Sequence, residues 1–254
     1  TAALERAQVS NEDVSEVIMG CVLPAGQGQA PARQAALGAG VPMDVGATTI
    51  NKMCGSGMKA TMFGHDLIVA GSADIAVVGG LESMSNAPYL LPKVRQGLRM
   101  GHGEIKDHMF IDGLEDAYDN KAMGCFAQIT ADENNVTREA MDIFAINSLD
   151  KANHAIASSA FSNEIAAFTV STRRGENTVD TDEAPSLVNK DKIPSLRSAF
   201  AKNGTITAAN ASSISDGVVS GNFIFKGGLL TDIGQVSASI LTDGAVLIKK
   251  GVIS

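Results

Sequence analysis

Three short strand candidates, each separated from the next by a helical stretch, constrain this chain more than any other feature. Residues 17–22, residues 45–50 and residues 74–78 read as strands, the last of them apolar from Ile75 onward. Between the first two, Pro31 opens a small-residue helix carrying Ala32, Ala35, Ala36 and Leu37. Proline suits that first turn, where its fixed φ helps and its missing N–H costs nothing. A second helix is expected over residues 56–70, with Met58, Met62 and Ile68 among its apolar positions. Strands spaced by helices in this way pair in parallel, and parallel strands are buried on both faces. The expected fold class is therefore α/β, a layered, mixed and mostly parallel sheet with helices against it.

The texture changes near Ser85. Residues 86–119 are rich in Gly, Pro, His and charge, with little periodicity, and read as an inserted loop region. The clearest helix spans residues 137–158, where Met141, Ala145, Leu149, Ala152 and Ile156 recur at a spacing of three or four. A strand is expected at residues 164–170, a polar connection over 173–194, and a return to strand at 205–207 before a small-residue run at 208–213. At the other end, residues 1–8 read as the end of a helix and residues 10–13 as a cap-like turn. Residues 242–245 partly echo 215–218, too short a match for a repeat architecture, and residues 218–254 receive no assignment.

Composition narrows the function classes. The 254 residues carry a formal net charge of -8 and no block of Lys or Arg, which argues against nucleic acid or an anionic membrane as the main partner. A phosphate-bearing ligand remains compatible, because a few local donors suffice to hold it. No apolar run of about 18 residues is present, so no transmembrane helix is expected. Aromatic residues make up 4% and Trp is absent, which disfavours a base-stacking module. Cys21, Cys54 and Cys125 are isolated and odd in number, fitting a reducing compartment and giving no metal-ligand spacing. The chain begins at Thr1 within a helical pattern, so a natural start upstream is expected. The expected compartment is the cytoplasm, with a mitochondrial or peroxisomal one left open.

The chemistry concentrates in residues 50–60, Ile-Asn-Lys-Met-Cys-Gly-Ser-Gly-Met-Lys-Ala. A strand runs into a turn of small residues and a helix starts at once, the mechanics of a nucleophile elbow. A thiol at a helix N-terminus meets the positive end of the dipole and nearby backbone N–H groups, both of which favour the nucleophilic thiolate. Thiolate attack on a thioester exchanges one thioester for another at little thermodynamic cost. Local features alone leave a second reading open, a small buried cysteine packed beside glycines.

Four motifs carry a resemblance. Asn51-x-x-Cys54-Gly55-Ser56-Gly57-x-Lys59-Ala60 resembles the acyl-enzyme motif of the thiolase family. Gly79-Gly80-Leu81-Glu82-Ser83-Met84-Ser85 resembles that family's turn after the next strand. Lys106-Asp107 with Asp112-Gly113-Leu114-x-Asp116-Ala117-Tyr118 is similar to its Asp-Gly-Leu-x-Asp element, and residues 204–212 to its return from loop domain to core. Their order over roughly residues 10–217 points to the acetyl-CoA acetyltransferase branch. The resemblance implies a layered core at residues 1–84, an inserted α+β CoA-binding loop domain at 85–205, and a return to the core with an atypical tail at 206–254. It implies that Cys54 is acylated by an acyl-CoA, its backbone N–H helping to hold the oxyanion. The acyl group would then pass to acetyl-CoA, or CoA would cleave a 3-ketoacyl-CoA in the reverse direction. Leu114, Met123 and Ser212 match positions lining the pantetheine tunnel. Core packing is the other reading of Leu114 and Met123, and turn capping that of Ser212. No permanently bound cofactor or metal is expected, with CoA thioesters as substrates and a homo-oligomer, dimer or tetramer, as the assembly.

Departures from the family pattern are equally specific. Ala122 stands where the family often has histidine, and Gln128 where it often has glutamate. The arginine that often meets the CoA nucleotide is not found in residues 182–186, so no phosphate anchor is assigned. A thiolase's second half supplies a histidine that activates the thiol, a second cysteine acting as acid and base, and an asparagine-linked oxyanion site. None of these motifs is found here, and Cys125 does not replace the second cysteine. Of the four histidines, His65 and His154 fall in helical patterns, whereas His102 and His108 lie in the loop region within reach of a CoA role. Should the chain end at Ser254, negligible turnover and poor solubility are expected, because a nucleophile without its base loses much of its rate and half a core exposes an apolar face. Two other classes are then a CoA- or partner-binding module without turnover and a hydrolase or redox protein using Cys54 alone. The last lacks any Cys-His arrangement.

Overall fold

A computed structural model describes residues 1–215, 223–226, 236–240 and 246–250, the last three stretches as backbone only. They gather into two compact units. The first comprises Thr1–Pro88 and the described strands beyond residue 215. Helix α1 (Ala2–Arg6) leads through a 3-10 turn at Asn11–Asp13 into strand β1 (Glu16–Gly20). Helix α2 (Pro31–Gly38), strand β2 (Gly46–Ile50), helix α3 (Ser56–Ala70) and strand β3 (Ile75–Gly80) follow in the expected alternation.

Strand β1 lies between β2 and β3 and is parallel to both, Glu16 standing in register with Gly46 and with Ala76. The free side of β3 pairs antiparallel with Phe223–Lys226, and Val246–Lys250 and Val236–Ile240 complete a six-stranded mixed sheet. Successive strand residues face opposite ways, so β1 feeds two cores. Val17 and Met19 pack with Ala32, Ala36, Val41 and Ile75 on the α2 side. Ile18 packs with Ala60, Ile68, Ala76 and Val78 on the α3 side. Helix, sheet and helix are thus stacked in layers.

The face that α3 buries differs from the one its methionines suggest. Ser56, Ala60, Gly64 and Ile68 are its buried residues, recurring every fourth position. Met58 and Met62 are 68% and 48% exposed on the other side. Small residues on the buried stripe let the helix axis approach the sheet closely, so side-chain size and not hydrophobicity selects the face. Gly71, at φ +73°, ends α3 in a Schellman motif, its N–H donating to the Ile68 carbonyl and Ser72 N–H to that of Leu67.

The second unit is Tyr89–Ser215. Strand β4 (Tyr89–Leu90) pairs antiparallel with β5 (Lys106–Asp107), and a single π-turn occupies Phe110–Leu114. Helix α4 (Met123–Glu133) carries no apolar stripe: its buried residues are Gln128 and Ala131, which is why periodicity passes over it. Helix α5 (Arg138–Ala157) matches the expected helix, its first turn capped by Thr137, whose hydroxyl accepts from Ala140 N–H.

Beyond α5 the expectations need correction. The strand expected at 164–170 is β6 (Phe168–Thr172), and it forms a hairpin with β7 (Gly175–Val179) inside the stretch read as a polar connection. Every residue of the pair is exposed, so no buried face imposes the alternation by which strands are recognised. Helix α6 (Ala184–Leu187) and a 3-10 turn at Lys190–Ser195 fill the rest. At 205–207 there is no strand, only a bridge between Thr207 and Ser198. The echoed segments at 216–218 and 242–245 lie outside the described residues.

Candidate active site

Cys54 stands in the turn between β2 and α3, with Gly55 as the helix N-cap. It is exposed, so the reading of a buried cysteine packed beside glycines fails. The residue that fits such a description is Cys21, 2% exposed at the end of β1. Burial, with the adjacent Glu82 carboxylate, pushes the Cys21 thiol up to about 11. No described residue accepts a hydrogen bond from the Cys54 backbone N–H.

The turn is built by its own side chains. Asn51 Oδ1 accepts from Met53 N–H at 2.8 Å, an Asx turn that starts the reversal. Ser56 Oγ accepts from Lys52 N–H at 2.8 Å and donates to the Met53 carbonyl at 2.6 Å. Gly55 N–H and Ser56 N–H bond back to the carbonyls of Lys52 and Met53. Together these hold Met53 at φ +49°, a left-handed conformation that a non-glycine residue adopts only under constraint.

Glycines set the floor of the turn. A Cβ on Gly20 would lie 2.5 Å from the Ser56 carbonyl carbon and 2.6 Å from Gly57 N, both backbone atoms. A Cβ on Gly80 would meet the Gly20 carbonyl oxygen and Gly57 Cα at 3.4 Å. The first turn of α3 therefore rests directly on the ends of β1 and β3. Gly20 reads in the sequence only as a strand residue, and its role appears once the helix is packed against it.

Glu82, just after β3, reaches the loop that leaves β1. Its Oε2 accepts from Val22 N–H at 2.8 Å and its Oε1 from Leu23 N–H at 2.9 Å. The Val22 carbonyl in turn accepts from Asn51 Nδ2 at 3.4 Å. The Glu82 motif is visible in the sequence, but its partners are backbone groups that no residue pattern announces.

In the second unit, Leu114 ends the π-turn and is half-buried, Met123 is the first residue of α4 and 45% exposed, and Ser212 is exposed. Core packing thus does not describe Met123. The Ser212 hydroxyl makes no hydrogen bond to a described residue, so it caps no turn there. The loop after Leu114 is closed by Asp116, whose Oδ2 accepts from Tyr118 and Asp119 N–H groups. The turn before Ser212 is tied to α5: Asn210 Nδ2 donates to Asp142 Oδ1 at 3.1 Å, and Arg138 Nε meets Asp142 Oδ2 at 2.6 Å. Asn210 Oδ1 accepts from Thr207 N–H at 2.7 Å.

Gln128 accounts for one departure noted above. Its Oε1 accepts from Thr205 and Ile206 N–H groups, while its Nε2 donates to Asp132 Oδ1 at 2.8 Å and to Thr205 Oγ1 at 3.0 Å. A buried site that asks one side chain to accept and donate selects an amide. Nearby, Phe200 lies so close over Gly124 that a Cβ there would meet the ring at 2.3 Å. A groove of about 530 Å³ is lined by Arg197, Ser198, Ala199, Phe200, Ala201 and Lys202. Neither Arg197 nor Lys202 forms an ion pair with a described residue.

The histidines divide as their contexts suggest. His65 lies nine positions beyond Ser56 on α3, about 14 Å along the axis at 1.5 Å per residue, too far to serve Cys54 as a base. His154 is exposed on α5 and His102 is exposed in its loop. His108 is 5% exposed, with Nδ1 2.6 Å from Asp112 Oδ2, which ties it into the loop instead of offering it to a ligand. Among the described residues no three His, Cys, Asp or Glu side chains converge to hold a metal. No helix among them is long and apolar enough to cross a membrane.

Comparison with known proteins follows the same outline. The thiolase N-terminal domain family matches residues 1–221. The acetyl-CoA acetyltransferase of Schizosaccharomyces pombe is 49% identical over 217 residues, covering 85% of this chain and 55% of the relative. That of Cupriavidus necator is 49% identical over 218 residues, covering 85% and 56%. The chain spans about half the length of the curated relatives it matches. Among solved structures, the Acat5 thiolase from Ascaris suum in complex with coenzyme A aligns with a TM-score of 0.77 at 38% identity, covering 84% of this chain and 55% of that one. The Bacillus anthracis acetyl-CoA acetyltransferase aligns with a TM-score of 0.81 at 38% identity, covering 84% and 54%.

Proposed function

The chain belongs to the thiolase family, and from that footing we propose that it is the acyl-accepting part of an acyl-CoA C-acyltransferase, with Cys54 as the nucleophile. Its α/β fold is the one shared with the solved thiolases. The observation that carries the proposal is an exposed thiol in a strand–turn–helix elbow whose backbone N–H has no acceptor among the described residues.

The chemistry follows from those atoms. The Cys54 thiolate attacks the carbonyl carbon of an acyl-CoA, the oxygen gathers negative charge, and the unoccupied Cys54 N–H donates to it. Collapse of the tetrahedral adduct releases CoA as its thiolate and leaves a thioester on Sγ. In the whole protein an acetyl group on Sγ then passes to the carbanion of a second acetyl-CoA, which forms the new carbon–carbon bond of acetoacetyl-CoA as the C–S bond breaks and the Cys54 thiolate returns. The reverse reaction cleaves a 3-ketoacyl-CoA. Leu114, Met123 and Ser212 are proposed to line the path of the pantetheine arm, a role supported by the exposure of Met123 and Ser212. Arg197 and Lys202 offer cations to the phosphates of CoA, which the chain's net charge of -8 would otherwise repel. The assembly is proposed to be a homo-oligomer.

Intact-protein mass after incubation with acetyl-CoA tests the nucleophile. One acetyl group is expected on the wild type, mapped to Cys54 and absent from Cys54→Ser. A folded wild type that acquires none, or an adduct that survives the substitution, would refute the assignment.

A further inference from the structure

Two of the sequence motifs meet at a single residue, Val22. Glu82 belongs to the turn after β3, and Asn51 to the segment that carries Cys54. Between them lies the loop leaving β1, and Val22 is gripped through both of its backbone polar groups. Its N–H donates to Glu82 Oε2 at 2.8 Å, and its carbonyl accepts from Asn51 Nδ2 at 3.4 Å. The second carboxylate oxygen takes Leu23 N–H at 2.9 Å, so the loop cannot pivot about one bond. Gln27 braces the same loop, its Nε2 donating to the Leu23 carbonyl at 3.1 Å. From Asn51 the restraint continues to Met53 N–H at 2.8 Å, one residue before the thiol.

We propose that Glu82 is a positioning residue for Cys54, its two oxygens fixing the loop at residues 21–23 and, through the Val22 carbonyl and the Asn51 amide, the turn that presents the thiol. It touches neither thiol nor substrate in this arrangement. A carboxylate is required because both partners are N–H donors. Glutamine would turn an NH₂ group toward one of them, and aspartate is shorter by the methylene that lets both oxygens reach. Cys21, 3.6 Å from Glu82 Oε1, adds an S–H that suits the same acceptor. The proposal rests on the reading of Cys54 as the acylated nucleophile.

The test uses Glu82→Gln, Asn51→Ala and the double variant in the full chain. Three readouts are taken: the rate of Cys54 acylation against acetyl-CoA concentration, the rate of Cys54 alkylation by iodoacetamide, and amide hydrogen exchange. Glu82→Gln is expected to lower the maximal acylation rate about tenfold or more, the order that a sub-ångström misplacement commands, while the half-saturating concentration stays within about threefold. Exchange is expected to quicken at residues 51–56 and to stay unchanged in the second half of α3. The double variant should be no slower than Asn51→Ala, since both act through Val22. Strictly additive losses would overturn the proposal, as would a Glu82→Gln rate equal to wild type. Exchange quickened evenly over Thr1–Pro88 would also overturn it, by showing a general structural role. If the wild type acquires no acetyl group, the nucleophile reading falls by itself. Alkylation and exchange then still decide whether Glu82 holds the turn.

Discussion

Replacing Gly20 by alanine puts the geometry of the nucleophile turn to a direct test. The added methyl would sit 2.5 Å from the Ser56 carbonyl carbon, 2.6 Å from Gly57 N and 2.6 Å from Ser56 Cβ. Ordinary contact begins near 3.4 Å, so the start of α3 must move by about 1 Å or β1 must bend by as much. Two of these three atoms are backbone, and no flexible side chain is available to yield. Overpacking of this kind costs about 1–3 kcal/mol, which lowers the melting temperature by roughly 2–12 °C for a domain of this size. A displacement of about 1 Å at a reacting group costs on the order of a hundredfold in rate. The expected result is a modest loss of stability with a disproportionate loss of Cys54 acylation by acetyl-CoA, followed by intact mass against time. Gly57→Ala is the control. It alters the same turn of helix, but its Cβ would meet only Gly79 and Gly80 backbone atoms at 3.7 Å. If Gly20→Ala acylates and melts like wild type, α3 does not rest on β1 as described and the argument for a glycine floor is wrong.

Two further predictions concern other sites. Gln128→Glu would place a second carboxylate against Asp132 and remove both Nε2 donations, so a loss of about 1–3 kcal/mol is expected in urea unfolding at neutral pH. The shared proton that relieves the pair raises a folded-state pKa, so the deficit should shrink as pH falls into the carboxylate range. A deficit independent of pH would refute the repulsion. Cys21 gives the opposite end of the scale: burial, with the Glu82 carboxylate beside it, pushes its thiol up to about 11, above the ordinary thiol range. Its contribution to stability is fully present below about 9 and is lost as pH rises toward 11, so the wild-type melting temperature should fall more steeply than that of Cys21→Ala in this window. Parallel slopes would count against that ionisation.

How much of this was legible in the sequence depends on what kind of contact carries each feature. Strands β1 to β3 and helices α2 and α3 were legible because apolar period, Pro31 and the glycine turns are local signals. The place of Cys54 in the fold was legible for the same reason: a thiol among small residues at a strand-to-helix junction is a pattern in adjacent positions. Helix α4 was not, because its buried residue Gln128 is polar and its stability comes from bonds to Thr205 and Ile206, far along the chain. The β6–β7 hairpin was not, because neither strand has a buried face. Which face of α3 is buried was not legible either. Met58 and Met62 are as apolar as any residue of that helix, yet the sheet takes Ala60 and Gly64 on the other side of α3.

The contrast between Met53 and its neighbours shows why the Cys54 turn needs both kinds of support. A left-handed φ of +49° at a non-glycine residue costs on the order of 1–2 kcal/mol. Three hydrogen bonds act on that one residue: its N–H to Asn51 Oδ1, and its carbonyl from Ser56 N–H and from Ser56 Oγ. At roughly 0.5–1.5 kcal/mol each they are sufficient to offset the strain, which explains why Asn51 and Ser56 accompany Cys54 in one short segment. Hydrogen bonds alone would still let the turn rock as a body. Gly20 and Gly80 block motion toward the sheet, and the bonds from Glu82 through Val22 to Asn51 restrain motion away from it. Under the proposed role of Cys54, a turn held from below by contact and from the side by hydrogen bonds would keep the thiol in place as an acyl carbonyl approaches, and neither support could substitute for the other.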